Sequence, residues 1–331
     1  MTSGGADNLQ SSQRAGAGSI RLSIPQIVAR IRPYALYGAF LLLILLFTLL
    51  SPVFFSEGNF ANIGRQTALV SIMAVGMTMV IVTAEIDLSV ASTLALSGMS
   101  AALAMQAVNV WIVGAAAGLA TGAFVGLING ILTTRLLIPS FIVTLGTLGI
   151  CRGVALVVTN TAPVLISNRP FADIFGQGYL FGVPAPICLT ILTLLFGVYL
   201  LHFSTFGRKL YASGGNPTAA RYSGINVARV KTVAFVLTGT LAALAALVLS
   251  ALGEASRPDS GSGLELDVIA AVILGGTSLF GGRGTIIGTL IGSLIIGILN
   301  NGLVLVGVDA SWQLALKGAI IIFAVAFSER K

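Results

Sequence analysis

Charge is scarce in this chain, and histidine is almost absent. Only 9% of the 331 residues are Asp, Glu, Lys or Arg, against roughly 25% in soluble domains. A chain this poor in charge keeps most of its length in lipid. One histidine, His202, and two cysteines, Cys151 and Cys188, exclude a metal cluster and a His-based catalytic triad. No lysine completes G-x-x-x-x-G-K-[ST], so ATP hydrolysis is not expected of this chain. Both cysteines fall within apolar stretches and read as small packing residues. No cofactor site is expected. A Ser–Lys pair is the one enzymatic arrangement left open.

What is present is apolar: 56% of the residues. A membrane span takes about 20 mostly apolar residues. Ten stretches qualify: 34–54, 63–84, 88–108, 111–134, 137–159, 184–203, 232–252, 265–280, 284–306 and 312–327. The expected fold is an all-α polytopic membrane protein with about ten transmembrane helices. The third and eighth stretches abut their neighbours across very short turns. Each could be broken or re-entrant, which is tolerated where protein or water surrounds it.

Lys and Arg stay on the cytoplasmic side. With the N-terminus inside, most of the 18 fall in inner segments, including Arg30, Arg135, Arg208, Arg221, Lys231 and Arg283. Arg65, Arg169 and Arg257 fall outside. The net charge of +7 is therefore topological and calls for no nucleic acid. The expected organisation is a cytoplasmic tail at 1–33, a single transmembrane domain at 34–328 that includes the inner loop 204–231, and a cytoplasmic end at 329–331. Met1–Ser23 is Gly/Ser/Gln-rich and reads as disordered. It is no signal peptide, because the first apolar segment is too long and no cleavage-type site follows it.

The longest inner loop is Ser204–Lys231. Asn216 is a good helix N-cap, Pro217 suits the first helical position, and Gly224 is placed to end the helix left-handed. Ala219 and Ala220 lie between those caps, with Arg221 beside them. Such a helix either docks into a groove on a partner or merely turns the chain around.

Glycine recurs every fourth residue at Gly114–Gly130 and again at Gly284–Gly292. Each run leaves a bare ridge on which another backbone can rest. Gly126-Leu-Ile-Asn-Gly130 is similar to Gly297-Ile-Leu-Asn-Asn-Gly302. The two spans run in opposite directions, as an inverted repeat of spans 2–5 on spans 7–10 requires.

Polar groups inside spans are costly and therefore informative. Gln66, Asn129, Arg152, Asn300 and Asn301 are candidates for a translocation path or for bonds between helices. The asparagines suit the second role. Arg152 needs carbonyls or a carboxylate, with Asp267 and Glu265 in reach. Lys317 is near enough to the outer boundary to snorkel. Glu85-Ile-Asp-Leu-Ser-Val90 joins spans two and three, and Asp87 and Ser89 are both placed to cap the next helix. Carboxylates gather at turns, so no ion relay is legible.

Three runs resemble the permease subunits of bacterial ribose-type sugar ABC importers. They are Ile86–Val90, Tyr211–Ile225 and Glu265–Gly284. The resemblance spans about Tyr34 to Phe327. It implies an inner-membrane permease, both termini cytoplasmic, that translocates a pentose, hexose or small polyol by alternating access. It implies a cytoplasmic ATPase with two nucleotide-binding halves, a periplasmic sugar-binding protein and a second permease copy, identical or related. Asn216, Ala219, Ala220, Gly224 and Ile225 match the loop that meets the ATPase. Asp87 matches the acidic residue of the turn motif, and Gly275, Gly276, Gly281, Gly282 and Gly284 match the later glycine motif. Glu85 stands where many members have glycine, which adds a charge to the turn. The rival reading is an ion-coupled secondary transporter or channel for a small polar solute. It calls for coupling carboxylates or a filter.

Overall fold

The computed structural model describes residues 24–327. The expected disordered tail and the C-terminal end 329–331 lie outside them. The chain divides into units at 1–35 and 36–331; the first is helical over its described part.

The helices follow in order: α1 Ile24–Leu50, α2 Glu57–Val82, α3 Val90–Val108, α4 Trp111–Arg135, α5 Ser140–Val158, a short α6 Arg169–Ala172, and α7 Ala185–Val198. Next come α8 Thr205–Gly215, α9 Pro217–Tyr222, α10 Val227–Leu252, α11 Leu264–Leu274, α12 Ile286–Leu305 and α13 Ala310–Phe327. π-helical turns at Asp173–Gln177 and Tyr199–Phe203 extend α6 and α7. Among the described residues, strand is confined to two-residue pairs: Val164–Leu165 with Ala255–Ser256, and Tyr179–Leu180 with Val183–Pro184. Both are antiparallel.

Among the described residues, seven helices are long and apolar enough to cross a membrane. They are α2, α3, α4, α5, α7 with its π turn, α10 and α12. The apolar segment Leu36–Leu50 is shorter. The third expected span is thus an unbroken 19-residue helix. The eighth is not: α11 has 11 residues, about 16 Å at 1.5 Å per residue. The rest of that stretch, from Gly275 onward, is irregular backbone. It is tolerated because α11 lies against α2 and α12.

α2 is the central helix, its side chains buried almost throughout from Thr67 to Val82. It packs against α7, α10, α11 and α12. Both glycine ridges face protein. A Cβ on Gly130 would stand 2.7 Å from the Thr232 Cα, and Gly122 and Gly126 rest on the Gly239 and Phe235 carbonyls of α10. On α12, Gly288 and Gly292 rest on the Gly275 and Ala271 carbonyls. The ridges therefore place α4 on α10 and α12 on α11, and α12 packs on α2 as well. α4, the third helix of the α2–α5 set, thus lies on α10, and α12, the third of the α10–α13 set, lies on α2. Cys151 and Cys188 are free thiols.

Candidate coupling junction

The loop 204–231 is held by its caps. Ser204 Oγ accepts the Gly207 amide at 3.1 Å and starts α8. Asn216 serves two helices. Its amide donates to the Ala212 carbonyl at the end of α8, and its Oδ1 accepts the Ala219 amide at 3.0 Å to start α9. Gly224 takes φ 80°, a region that side chains disfavour. Its amide and that of Ile225 close α9 on the Arg221 and Ala220 carbonyls, both at 3.0 Å. Asn226 then caps α10 through the Arg229 amide at 2.9 Å.

The two alanines of α9 part company. Ala220 is buried, whereas Ala219, Arg221 and Tyr222 are exposed, Tyr222 at 89%. The free side of α9 thus carries Thr218, Ala219, Arg221 and Tyr222. Tyr222 went unnoticed in the sequence because nothing local marks which side of a six-residue helix is free.

The turn motif and the glycine motif meet this loop. The Gly282 amide donates to the Val82 carbonyl at 2.8 Å, and the Tyr211 hydroxyl donates to the Gly284 carbonyl at 2.7 Å. Burial raises the Tyr211 phenol above its ordinary pKa. Gly214 lies directly on the Val82 carbonyl, and a Cβ on Gly282 would come within 2.8 Å of the Gly215 Cα. A Cβ on Gly281 would meet Ala84 at 2.9 Å. Gly276, Gly281 and Gly282 all have positive φ. Three sequence-distant segments thus touch at one place through bare backbone.

Glu85 closes the junction. Its carboxylate pairs with Lys231 Nζ, which stands in the second turn of α10. Both side chains are largely buried, at 15% and 16% exposure. The unusual charge of the turn therefore has an internal partner on the exit of the loop. With Arg221, Val227 and Pro139 the pair lines a small cleft.

Asp87 is buried, and its Oδ1 accepts from the Ser89 amide at 2.9 Å and from Ser89 Oγ at 2.6 Å. Ser89 makes no side-chain cap; its Oγ accepts instead from Asn129 Nδ2 at 2.8 Å. Asn129 Oδ1 takes a bond from Thr147 at 2.7 Å. The capping expected of Ser89 is replaced by a buried network joining the turn to α4 and α5.

The other intramembrane candidates are distributed elsewhere. Arg152 donates to the Pro258 and Ser260 carbonyls at 2.7 and 2.9 Å, so carbonyls hold it. Asp267 pairs with Lys317 at 2.8 Å, and Lys317 is not a free snorkelling side chain. Asp267 is buried in the first turn of α11, so not every carboxylate sits at a turn; this one is countered by an ammonium. Asn300 donates to Asp267 Oδ2 at 3.2 Å, and Asn301 to Asn59 at 2.9 Å. Gln66 is exposed on α2. Among the described residues no three His, Cys, Asp or Glu side chains gather as a metal site.

A family model described as branched-chain amino acid transport system / permease component matches residues 59–325. The chain belongs to that family of membrane transport permeases. Among its relatives is the ribose import permease protein of Escherichia coli (strain K12), 45% identical over 88% of this chain and 92% of the relative. The ribose import permease protein of Bacillus subtilis (strain 168) is 42% identical over 94% and 96%. The L-arabinose ABC transporter permease protein of Azospirillum brasilense is 37% identical over 88% and 85%. No solved structure matches the chain. With its seven apolar helices and these relatives, the chain is a multi-pass protein of the inner membrane.

Proposed function

We propose that this chain is the membrane-spanning subunit of an ATP-driven importer for a monosaccharide or small polyol. The family description names branched-chain amino acids, but the relatives are named for ribose and arabinose. Sugar is therefore the favoured cargo. ATP hydrolysis belongs to a separate cytoplasmic subunit with two nucleotide-binding halves. A periplasmic binding protein delivers the sugar, a second permease copy completes the pore, and both termini are cytoplasmic.

The observation that carries this reading is the convergence of α8, the helix joined to α9 through Asn216, with the Val82–Ser89 turn and the Gly275–Gly284 segment. A pull on α9 reaches α8 through Asn216, and the end of α8 passes it by backbone contact to Val82 at the end of α2 and to the glycine segment that follows α11. Those helices belong to opposite halves of the repeat, so one displacement can rock one half against the other. Asn216, Pro217, Gly224 and Ile225 shape the lever, and Ala219 and Tyr222 present it.

Two measurements test this. Tyr222→Glu should abolish co-purification of the cognate ATPase in detergent while the permease itself stays folded; retained ATPase would remove α9 as the docking element. Reconstituted alone, the chain should not accumulate ribose under a proton or sodium gradient. Uptake by the lone chain would establish the secondary-transporter reading instead.

A further inference from the structure

The two halves of the repeat carry the same polar signature. Glu85-Ile-Asp87 precedes α3, and Glu265-Leu-Asp267 opens α11. Gly126-x-x-Asn129 lies on α4, and Gly297-x-x-Asn300 on α12. Each half buries its aspartate to 1% exposure and links it to its asparagine. The links differ in completeness. In the first half both ends of the Asn129 amide are used, Nδ2 toward Ser89 and Oδ1 from Thr147. In the second half both donors, Asn300 Nδ2 and Lys317 Nζ, converge on Asp267 Oδ2. Asp267 Oδ1 and Asn300 Oδ1 are left buried without any partner.

Two buried acceptors without donors are costly if nothing fills them. Both are oxygens, so the missing partner is a hydrogen-bond donor. The Asp267 charge is already countered by Lys317, so a cationic donor would bring an uncompensated charge into the membrane interior. A neutral hydroxyl brings none. Lys317 has donors to spare, since an ammonium carries three and one is used. It can donate to the oxygen of the same hydroxyl. Lys317 is 19% exposed and Asn300 is half-buried, so the cluster lies just beneath the surface of the single chain; its two unpartnered oxygens are enclosed and are reached only as the helices part during transport.

Resting on the importer reading, we propose that Asp267, Asn300 and Lys317 form a subsite for adjacent hydroxyl groups of a neutral polyhydroxylated solute in transit. Two hydroxyls donate to Asp267 Oδ1 and Asn300 Oδ1, and Lys317 Nζ donates back. The first half of the repeat has spent its donors on itself and offers no such place. One short contact set suits a conduit, because a solute held by few bonds is released easily.

The test uses the complete transporter in proteoliposomes, with its ATPase and binding protein. Uptake rates of D-ribose and of its singly deoxygenated analogues are compared at saturating sugar. Saturation removes the binding protein's own affinity differences. In the wild type at least one analogue should move about threefold to tenfold more slowly, the worth of one hydrogen bond. Asn300→Leu should bring that ratio close to one for the analogue lacking the hydroxyl that meets Asn300; because it also removes the Asn300–Asp267 bond, the melting temperature of the purified variant is measured only to establish that it is folded. If Asn300→Leu does not fold, Asn300→Ala withdraws the amide oxygen without offering another acceptor and should act the same way. A ratio unchanged in the folded variant, or no discrimination in the wild type, overturns the subsite and leaves buried water as the partner. A wild-type complex that accumulates none of these sugars would instead overturn the importer reading.

Discussion

Glu85 and Lys231 show what a single charge can do at this junction. Each is nearly enclosed, so removing one partner leaves the other buried and unpaired, a loss of about 1–3 kcal/mol. Glu85→Lys should therefore lower the melting temperature and uncouple ATP hydrolysis from uptake. Glu85→Lys with Lys231→Glu should restore both, because the pair is rebuilt in reverse. If the double variant behaves no better than the single one, the pair does not join the turn to the loop. Gly214 makes the same point through backbone. A Cβ added there would run into the Val82 carbonyl oxygen, so Gly214→Ala should impair uptake more than Gly215→Ala, whose nearest neighbour to an added Cβ is 3.9 Å away.

At the scale of elements, the contact between α4 and α10 is made by glycine. The Gly122 and Gly126 positions press on carbonyls of the facing helix, where any side chain forces the helices apart. Overpacking of this kind costs about 1–3 kcal/mol or more. Gly126→Leu should lower the melting temperature of the purified permease well below that of Ala120→Leu, whose position is exposed. Equal shifts would mean that the ridge does not carry the packing. α11 illustrates the opposite case. It is too short to cross, and its end at Gly275 frees the following backbone to reach Val82 and the Gly214–Gly215 pair.

For the whole molecule, the charge bias predicts which end of the bundle is cytoplasmic. Cysteines at Ser223 and Ser167, both exposed, should react with an impermeant maleimide from opposite sides, Ser223 only from the cytoplasm. Labelling of both from one side would break the span count between them. Ser213, though in the same loop, is fully buried and would report nothing.

Composition and local spacing determined that this is an all-helical membrane protein, where most helices lie, and that a capped helix stands in the loop at 204–231. These follow from interactions within a few residues: apolar runs, Asn216 beside Pro217, and Gly224 three residues beyond Arg221. The tertiary structure alone decided which side of α9 is free, since Ala219 and Ala220 are chemically identical. It decided that Lys231 answers Glu85, that Arg152 is held by carbonyls, and that Asp267 belongs to Lys317. Each of those partners lies 50 or more positions away in the chain. Only the crossing of helices brings them within hydrogen-bond reach, and in lipid every buried polar group must find such a partner or be left wanting one.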